Sequence, residues 1–141
     1  MASVNIDPSD LVGDSETTLV LAEFGEDPEL PQARIFIAGL QYYDYNAVDD
    51  ILGRIRPKRG DRLQLVRQPE NPYDGNAVEV WWRNGRLQLG HLPRDVATKV
   101  APLIDAGDAI RCYAVNSGNG ESWSVQALLI SEHLPEELSG G

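Results

Sequence analysis

The sequence predicts a mainly β fold, a small antiparallel β-barrel with one or two short helices. Several short segments alternate apolar and polar residues with the period of two that half-buried strands require. The dipeptide Asn84-Gly85 joins two such segments and favours the type I′ turn of a tight hairpin. Helical patterns do not alternate with the strands, as they would in a parallel α/β sheet. These observations together favour a small barrel.

Strands make up most of the predicted elements. In one of them Leu63 and Leu65 alternate with Arg62 and Gln64, which places the two leucines on one face. An edge strand is expected at residues 17–22, near the start of the chain. The remaining strands are expected at residues 33–40, 61–67, 77–83, 86–89, 109–115 and 122–130.

One amphipathic helix is predicted after the hairpin. Pro93 suits the first turn, Asp95 complements the positive N-terminus, and Gly107 ends the pattern. A shorter helix is expected at residues 47–53, with Asn46 as its N-cap. The apolar stripe of the first helix consists of Val96, Val100, Leu103 and Ile104.

Length and composition indicate one domain that folds without disulfide bonds or a structural metal ion. The chain has 141 residues and a mass of 15.5 kDa, enough for a core of its own. Its single cysteine, Cys112, rules out an internal disulfide and a cysteine-based zinc site within one chain. No window is apolar enough to span a membrane, and the first residues lack a signal-peptide pattern. We expect a cytoplasmic protein with no membrane partner and no cofactor.

The net charge of −10 is unevenly distributed. Half of the 22 acidic residues lie in residues 1–33 and 131–141, which contain no Lys or Arg, so residues 34–130 are near neutral. The predicted organisation is an acidic, disordered arm (1–30), a folded domain (31–131) and an acidic tail (132–141). Half of the basic residues cluster between positions 54 and 67, as a solvated turn or as an approach surface for phosphates.

The heptapeptide Asn71–Ala77 is the most informative motif. Its sequence, Asn-Pro-Tyr-Asp-Gly-Asn-Ala, predicts a turn between two strands, because Pro72 restricts φ and Asn, Asp and Gly favour turn conformations. Turn chemistry does not explain Tyr73, a large amphipathic side chain at a position where water is the usual neighbour.

Three further motifs surround this turn: Gly-Leu-Gln-Tyr-Tyr at 39–43, Leu-Val-Arg-Gln-Pro-Glu at 65–70 and Leu-Gly-His-Leu-Pro-Arg at 89–94. In this order and spacing the motifs resemble the HIRAN domain. This family occurs alone in bacteria and as the N-terminal domain of eukaryotic Rad5-type and helicase-like transcription factor remodelers. The resemblance runs from about Ile35 to Ile130. It implies a modified OB-like barrel and a stand-alone, bacterial-type HIRAN protein.

The resemblance also implies a binding site for the 3′ end of single-stranded DNA. In family members that bind such ends, three tyrosines frame the terminal nucleotide, and the matching residues are Tyr42, Tyr43 and Tyr73. Asp74 matches an aspartate that accepts a hydrogen bond from the terminal 3′ hydroxyl. An internal phosphodiester could not supply that donor, so the aspartate would reject chain interiors.

Five other residues match binding positions of the family. Asn71 matches a contact to the terminal base, although its amide could equally cap its own turn. His91 and Arg94 match phosphate contacts, with arginine where the family has lysine. Trp123 lies near an aromatic that stacks a second base, or belongs to the core by strand alternation. Gln41 replaces an arginine placed against a phosphate, a change expected to weaken phosphate binding by ~1.5–3 kcal/mol.

The expected function is recognition of single-stranded DNA 3′ ends on damaged DNA or stalled forks, without catalysis and with a separate helicase or nuclease as partner. A peptide-binding module using the same tyrosine-lined groove is the alternative. A metal-dependent nuclease is a weaker rival, since no known metal-ligand spacing is present. Its candidate ligands would be Asp44, Asp49, Asp50, Asp74 and His91.

Overall fold

The computed structural model describes residues 27, 29–51 and 53–139. In chain order, the strands of this part are β1 Gln32–Phe36, β2 Val48–Asp49, β3 Gly53–Arg54, β4 Arg62–Arg67, β5 Val78–Trp82, β6 Leu87–His91, β7 Arg111–Ala114 and β8 Gln126–Ile130. The helices are the 3-10 helix Leu40–Tyr42, α1 Arg94–Asp105 and α2 Glu136–Ser139. None of the helices in these ranges is long and apolar enough to cross a membrane.

Six strands form one antiparallel sheet in the order β1-β8-β7-β4-β5-β6, while β2 pairs with β3 in a separate small sheet. The large sheet curls so that Ala38, just beyond β1, pairs with His91 at the end of β6. The Ala38 N–H donates to the His91 carbonyl at 2.8 Å, and the His91 N–H donates to the Ala38 carbonyl at 2.9 Å. This bridge joins the two ends of the sheet. The prediction of a small OB-like antiparallel fold is confirmed, in the form of a half-barrel.

Gly90 allows the backbone to come this close. A Cβ atom added at Gly90 would clash with the carbonyl oxygen of Ala38 and lie 3.0 Å from the Cγ2 atom of Ile37. The pairing of β5 with β6 also shifts register between Val80 and Trp81, which bends β6 at the bulge. The glycine and the bulge together let the end of β6 meet the chain beyond β1.

The core lies inside the curled sheet and under α1. Burial alternates along β1, β5 and β7, whereas four consecutive residues of β8 are buried. The helix adds Val96 and Val100 with partly buried Leu103 and Ile104. The predicted helix and its apolar stripe are therefore confirmed. The largest side chains with almost no exposure include Ile37, Leu40, Leu63, Leu89, Leu129, Val78 and Val80.

The helix predicted at residues 47–53 is wrong, because the chain forms the β2–β3 hairpin there. Asn46 has a φ of 65°, in the left-handed region, whereas an N-cap residue is usually extended. The Asn46 N–H donates to the Ile55 carbonyl at 2.7 Å, and the Ile55 N–H donates to the Ala47 carbonyl at 2.9 Å. The Ala47 carbonyl and the Ile51 N–H, which would bond each other in a helix, thus have other partners, Ile55 N–H and Asp49 Oδ1.

The strands predicted at residues 33–40, 109–115 and 122–130 are each at least three residues shorter in the structure, where β7 spans only Arg111–Ala114. The first ends at Phe36, before Gly39 adopts a φ of 78° and opens the 3-10 helix. The last begins at Gln126, because Trp123 has a φ of 65° and cannot continue a strand. The expected edge strand at residues 17–22 and nearly all of the predicted N-terminal arm lie outside the described residues.

The hairpin predicted at Asn84-Gly85 is present, but its loop is longer than a two-residue type I′ turn. Trp82 pairs with Leu87, and residues 83, 84 and 85 all have positive φ angles, of 56°, 57° and 81°. The Arg86 N–H donates to the Trp82 carbonyl at 3.1 Å as well as to the Arg83 carbonyl at 3.3 Å. Near the C-terminus, Leu134 is buried in the core, and Glu137 pairs with Lys99 of α1 at 2.9 Å. Part of the acidic tail thus packs against the domain.

Replacing Gly90 with alanine is expected to destabilise the protein by about 1–3 kcal/mol, since the added methyl group must displace the Ala38 carbonyl. Urea denaturation of both proteins measures the difference. Gly75→Ala is the matched control, because a Cβ there lies 4.0 Å from its nearest neighbour, and its effect should stay within about 0.5 kcal/mol. Equal stability of Gly90→Ala and wild type would contradict this account of the closure.

Candidate nucleic-acid interface

An open pocket of about 640 Å³ lies where three segments meet. One segment follows the 3-10 helix, the second is the turn between β4 and β5, and the third joins β6 to α1. The pocket unites six of the residues singled out in the sequence and adds Ala77 and Leu92. Its lining consists of Tyr43, Asn71, Tyr73, Asp74, Ala77, His91, Leu92 and Arg94.

The turn is held in shape by its own polar side chains. The Asn71 Oδ1 atom accepts hydrogen bonds from the backbone N–H groups of Tyr73 at 2.8 Å and Asp74 at 3.0 Å. The Asp74 Oδ1 atom accepts from the Asn76 N–H at 2.9 Å. Asn71 therefore caps the turn, as one sequence interpretation proposed. The Tyr73 side chain stands at the tip and remains 86% exposed.

His91 connects the turn with Tyr43. The Tyr43 hydroxyl lies 3.3 Å from the His91 Nδ1 atom, and the two ring centroids are 5.5 Å apart. On the other side of the imidazole, the Nε2 atom lies 3.4 Å from Gln68 Oε1, which also accepts a 2.9 Å hydrogen bond from Asn71 Nδ2. Sequence reasoning missed Gln68 as a functional candidate, although the residue falls inside the motif at 65–70.

Arg94 and Asp74 supply opposite charges at the mouth of the pocket. The Arg94 Nη2 atom donates to the Tyr73 carbonyl at 2.9 Å, and Arg94 Nε lies 3.7 Å from Asp74 Oδ2. The arginine side chain is 75% exposed, so the ion pair is well solvated and contributes roughly 0–1 kcal/mol to stability. A ligand can therefore compete for both charged groups at little cost.

Tyr43 sits in a more restricted environment than the other tyrosines of the site. Burial raises the pKa of its hydroxyl, the carboxylate of Glu79 raises it further, and a hydrogen bond with Gln88 acts in the opposite direction. The phenol is therefore protonated at neutral pH and retains its O–H donor.

Three of the expected binding residues do not line this pocket: Gln41, Tyr42 and Trp123. The Tyr42 side chain is 78% exposed, and Trp123 is 50% exposed rather than part of the core. The loop that carries Trp123 packs near Tyr45, whose hydroxyl accepts the Gly120 N–H at 3.0 Å. Across residues 27, 29–51 and 53–139, no three His, Cys, Asp or Glu side chains come together as a group that could hold a metal ion.

Comparisons with known proteins point to one family. The model of the HIRAN domain matches residues 32–138. Mouse helicase-like transcription factor is 37% identical over 101 residues, which are 71% of this chain and 8% of that protein. A Fanconi-associated nuclease 1 homolog of Arabidopsis thaliana is 36% identical over 73 residues, 52% of this chain and 7% of that protein. The chain thus matches only a small part of these long relatives.

Solved structures agree with the family match. The crystal structure of the HIRAN domain of human HLTF aligns with a TM-score of 0.56 and 27% identity, covering 71% of this chain and 74% of that one. A crystal structure of a protein from Lactobacillus plantarum aligns with a TM-score of 0.53 and 25% identity, covering 72% of this chain and 93% of that one.

Replacing Asn71 with alanine should loosen the turn, because the Tyr73 and Asp74 N–H groups lose their acceptor. We expect a loss of about 1–3 kcal/mol in the free energy of unfolding and faster amide exchange at both positions by NMR. Asn76→Ala is the matched control in the same turn, since the Asn76 side chain takes no part in these hydrogen bonds. Unchanged exchange in Asn71→Ala would show that the cap is dispensable.

Proposed function

The chain belongs to the HIRAN domain family, and on that basis we propose that it binds single-stranded DNA at a free 3′ end. The observation that carries the proposal is the pocket itself, which gathers two tyrosines, a carboxylate and a cation from separate segments of the chain. Aromatic rings that hold bases and cationic groups that hold phosphates are the usual means of binding single-stranded nucleic acid.

Each group of the pocket has a role in this proposal. Tyr73 offers an exposed ring to the terminal nucleotide, and Tyr43 offers a second ring that His91 orients. Asp74 Oδ2 accepts a hydrogen bond from the 3′ hydroxyl, a group present only at the end of a strand. Arg94 lies beside the carboxylate and contacts the last phosphate.

Gln41, Tyr42 and Trp123 complete the proposed site as outer contacts. Gln41 is neutral and lies outside the pocket lining, so this position supplies no cation for a phosphate. The proposed affinity is therefore modest. Trp123 is exposed enough to stack a base beyond the terminal one, and Asn71 keeps one amide N–H for the terminal base once its oxygen has capped the turn.

We place the protein among non-catalytic modules. In this proposal it marks strand ends on damaged DNA or stalled forks, while a separate helicase or nuclease performs the chemistry. A nuclease and a helicase-like factor are among the relatives, but their match to this chain covers 7% and 8% of their length. The activities of those proteins therefore provide no argument for catalysis by this domain.

Binding of a peptide in the same groove is the second candidate function. The net charge of −10 and the neutral Gln41 favour it, because both reduce attraction to phosphates. Salt separates the two candidates. DNA binding should weaken as salt rises, because each phosphate contact releases counterions, whereas an apolar peptide contact should change little.

The Asp74 carboxylate should make binding depend on the chemistry of the strand end. By fluorescence anisotropy at low salt, we expect strands with a 3′ hydroxyl to bind about tenfold to a hundredfold more tightly than the same strands with a 3′ phosphate. Asp74→Asn should remove most of this preference, because it keeps the shape of the side chain and removes its charge.

Asp50→Asn is the matched control for the Asp74 variant. It removes the same charge from an exposed position outside the pocket lining, so it should preserve the preference for the hydroxyl. Wild-type protein that binds both strand ends equally would refute end recognition. Binding that is also insensitive to salt would favour the peptide-binding candidate.

Tyr73→Ala should weaken strand binding by about 1–3 kcal/mol through loss of base stacking. Its effect on the free energy of unfolding should stay within about 0.5 kcal/mol, because the ring is 86% exposed. Anisotropy and urea denaturation measure the two quantities. Tyr42→Ala serves as the comparison, and we expect it to lose less affinity because this similarly exposed ring lies outside the pocket lining. A larger loss of affinity in Tyr42→Ala than in Tyr73→Ala would indicate that the binding surface lies outside the pocket.

A further inference from the structure

A continuous line of hydrogen bonds crosses the pocket from the turn to Tyr43, and its polarity can be read from the backbone. The Asn71 Oδ1 atom receives two backbone N–H groups, from Tyr73 and Asp74. A backbone N–H can only donate, so this atom must be the amide oxygen. The other amide atom of Asn71 is consequently the nitrogen, which can only donate.

Gln68 receives the next hydrogen bond. Asn71 Nδ2 lies 2.9 Å from the Gln68 atom that faces it, so that atom must be an acceptor, the oxygen Oε1. The same oxygen lies 3.4 Å from His91 Nε2. An amide oxygen has no proton to donate, so the hydrogen bond requires the proton on His91 Nε2.

The last step reaches the Tyr43 hydroxyl. In a neutral imidazole with its proton on Nε2, the Nδ1 atom is an acceptor. The Tyr43 O–H therefore donates to His91 Nδ1 across 3.3 Å. Glu79 is paired with His91 across β5 and β6, but its carboxylate accepts from Trp81 Nε1 and Gln88 Nε2. Tyr43 and Gln68 are thus the partners that determine the tautomer.

We infer that Gln68 is a positioning residue that holds His91 in the Nε2–H tautomer and thereby directs the Tyr43 hydroxyl proton away from the ligand. With that proton engaged, the Tyr43 oxygen, which also hydrogen-bonds Gln88, can act towards the pocket only as an acceptor. Asp74 Oδ2, also an acceptor, lies in the same pocket. This inference rests on the proposed function for its ligand, but the state of His91 can be tested without any ligand.

As a consequence, the pocket favours a ligand group that can donate a hydrogen bond over one that can only accept. A terminal hydroxyl can donate to the carboxylate or to the tyrosine oxygen, whereas a fully ionised phosphate has acceptors only. Without Gln68, His91 could carry its proton on Nδ1 and donate to Tyr43. The tyrosine proton would then be free to point into the pocket, towards a phosphate oxygen.

Gln68→Met tests the inference, because methionine has a similar shape and cannot replace the amide acceptor. We would record the ¹⁵N resonances of the imidazoles at about pH 9, well above the ordinary titration range of histidine. Wild-type His91 should show a protonated Nε2 and a bare Nδ1, and Gln68→Met should show a mixture of tautomers. His133, the other histidine of the chain, provides an internal reference that should not change.

Two further variants distinguish a role in polarity from a role in packing. Gln68→Glu retains an oxygen acceptor for both Asn71 and His91, so it should keep the Nε2–H tautomer. Gln64→Met is the matched control on β4, since Gln64 Oε1 accepts the Gly85 N–H at 3.1 Å outside the pocket. It should leave the His91 resonances unchanged.

Binding supplies the second readout. In Gln68→Met the preference for a 3′ hydroxyl over a 3′ phosphate should fall by about fivefold to tenfold, the effect of one misdirected hydrogen bond. A wild-type pattern of His91 resonances in Gln68→Met would overturn the inference. If the tautomers respond as expected but wild-type protein binds neither strand, the proposed function fails while the positioning of His91 by Gln68 stands.

Discussion

The two hydrogen bonds between Ala38 and His91 are the constraint on which the rest of the pocket depends. They join segments that are distant in sequence and hold the ends of the curled sheet together. Tyr43 follows Ala38 closely along the chain, and Arg94 follows His91 into α1. One backbone contact therefore brings the tyrosine and the arginine to the same side of the domain. The close approach also explains why position 90 has no side chain.

A second set of hydrogen bonds, separate from the Ala38–His91 pair, holds the turn of residues 71–77 beside the pocket. Gln68 N–H and Arg67 Nη1 both donate to the Ala77 carbonyl at 2.9 Å, which closes the base of the turn. Arg67 also holds Asp105 of α1 through two hydrogen bonds of 2.9 and 3.2 Å, and this keeps the pKa of that carboxyl below its usual range. The turn is thus fastened to the helix as well as to the sheet.

These anchors leave a pocket whose polar atoms are largely paired before any ligand arrives. Asn71, Gln68 and His91 hold one another, while the ring of Tyr73 and most of Arg94 stay exposed. A preformed arrangement of this kind lowers the entropic cost of binding. Because the cation lies beside a carboxylate, recognition would depend on stacking and hydrogen bonding more than on bulk charge. That is consistent with a chain of net charge −10.

Local chemistry was sufficient to predict what depends on neighbours in sequence. Alternation located the strands of the sheet, Asn84-Gly85 specified its hairpin, and Pro93 with the following apolar stripe located α1. The short sequence motifs likewise contain the six candidate residues that line the pocket. By contrast, the expected helix at 47–53 failed because cross-strand bonds to Ile55 outweighed a plausible cap at Asn46.

Only the tertiary structure decided which way the hydrogen bonds of the pocket run and which aromatic residues face it. Gln68 looks ordinary in the sequence, and its importance comes from an oxygen shared between Asn71 and His91. Likewise, Trp123 fits a strand pattern, but a positive φ turns the chain there and leaves the ring half exposed. The sequence by itself thus determined the elements and most of the chemical groups. Their contacts and proton positions arise from closure of the sheet, which joins residues too far apart for any local pattern to relate.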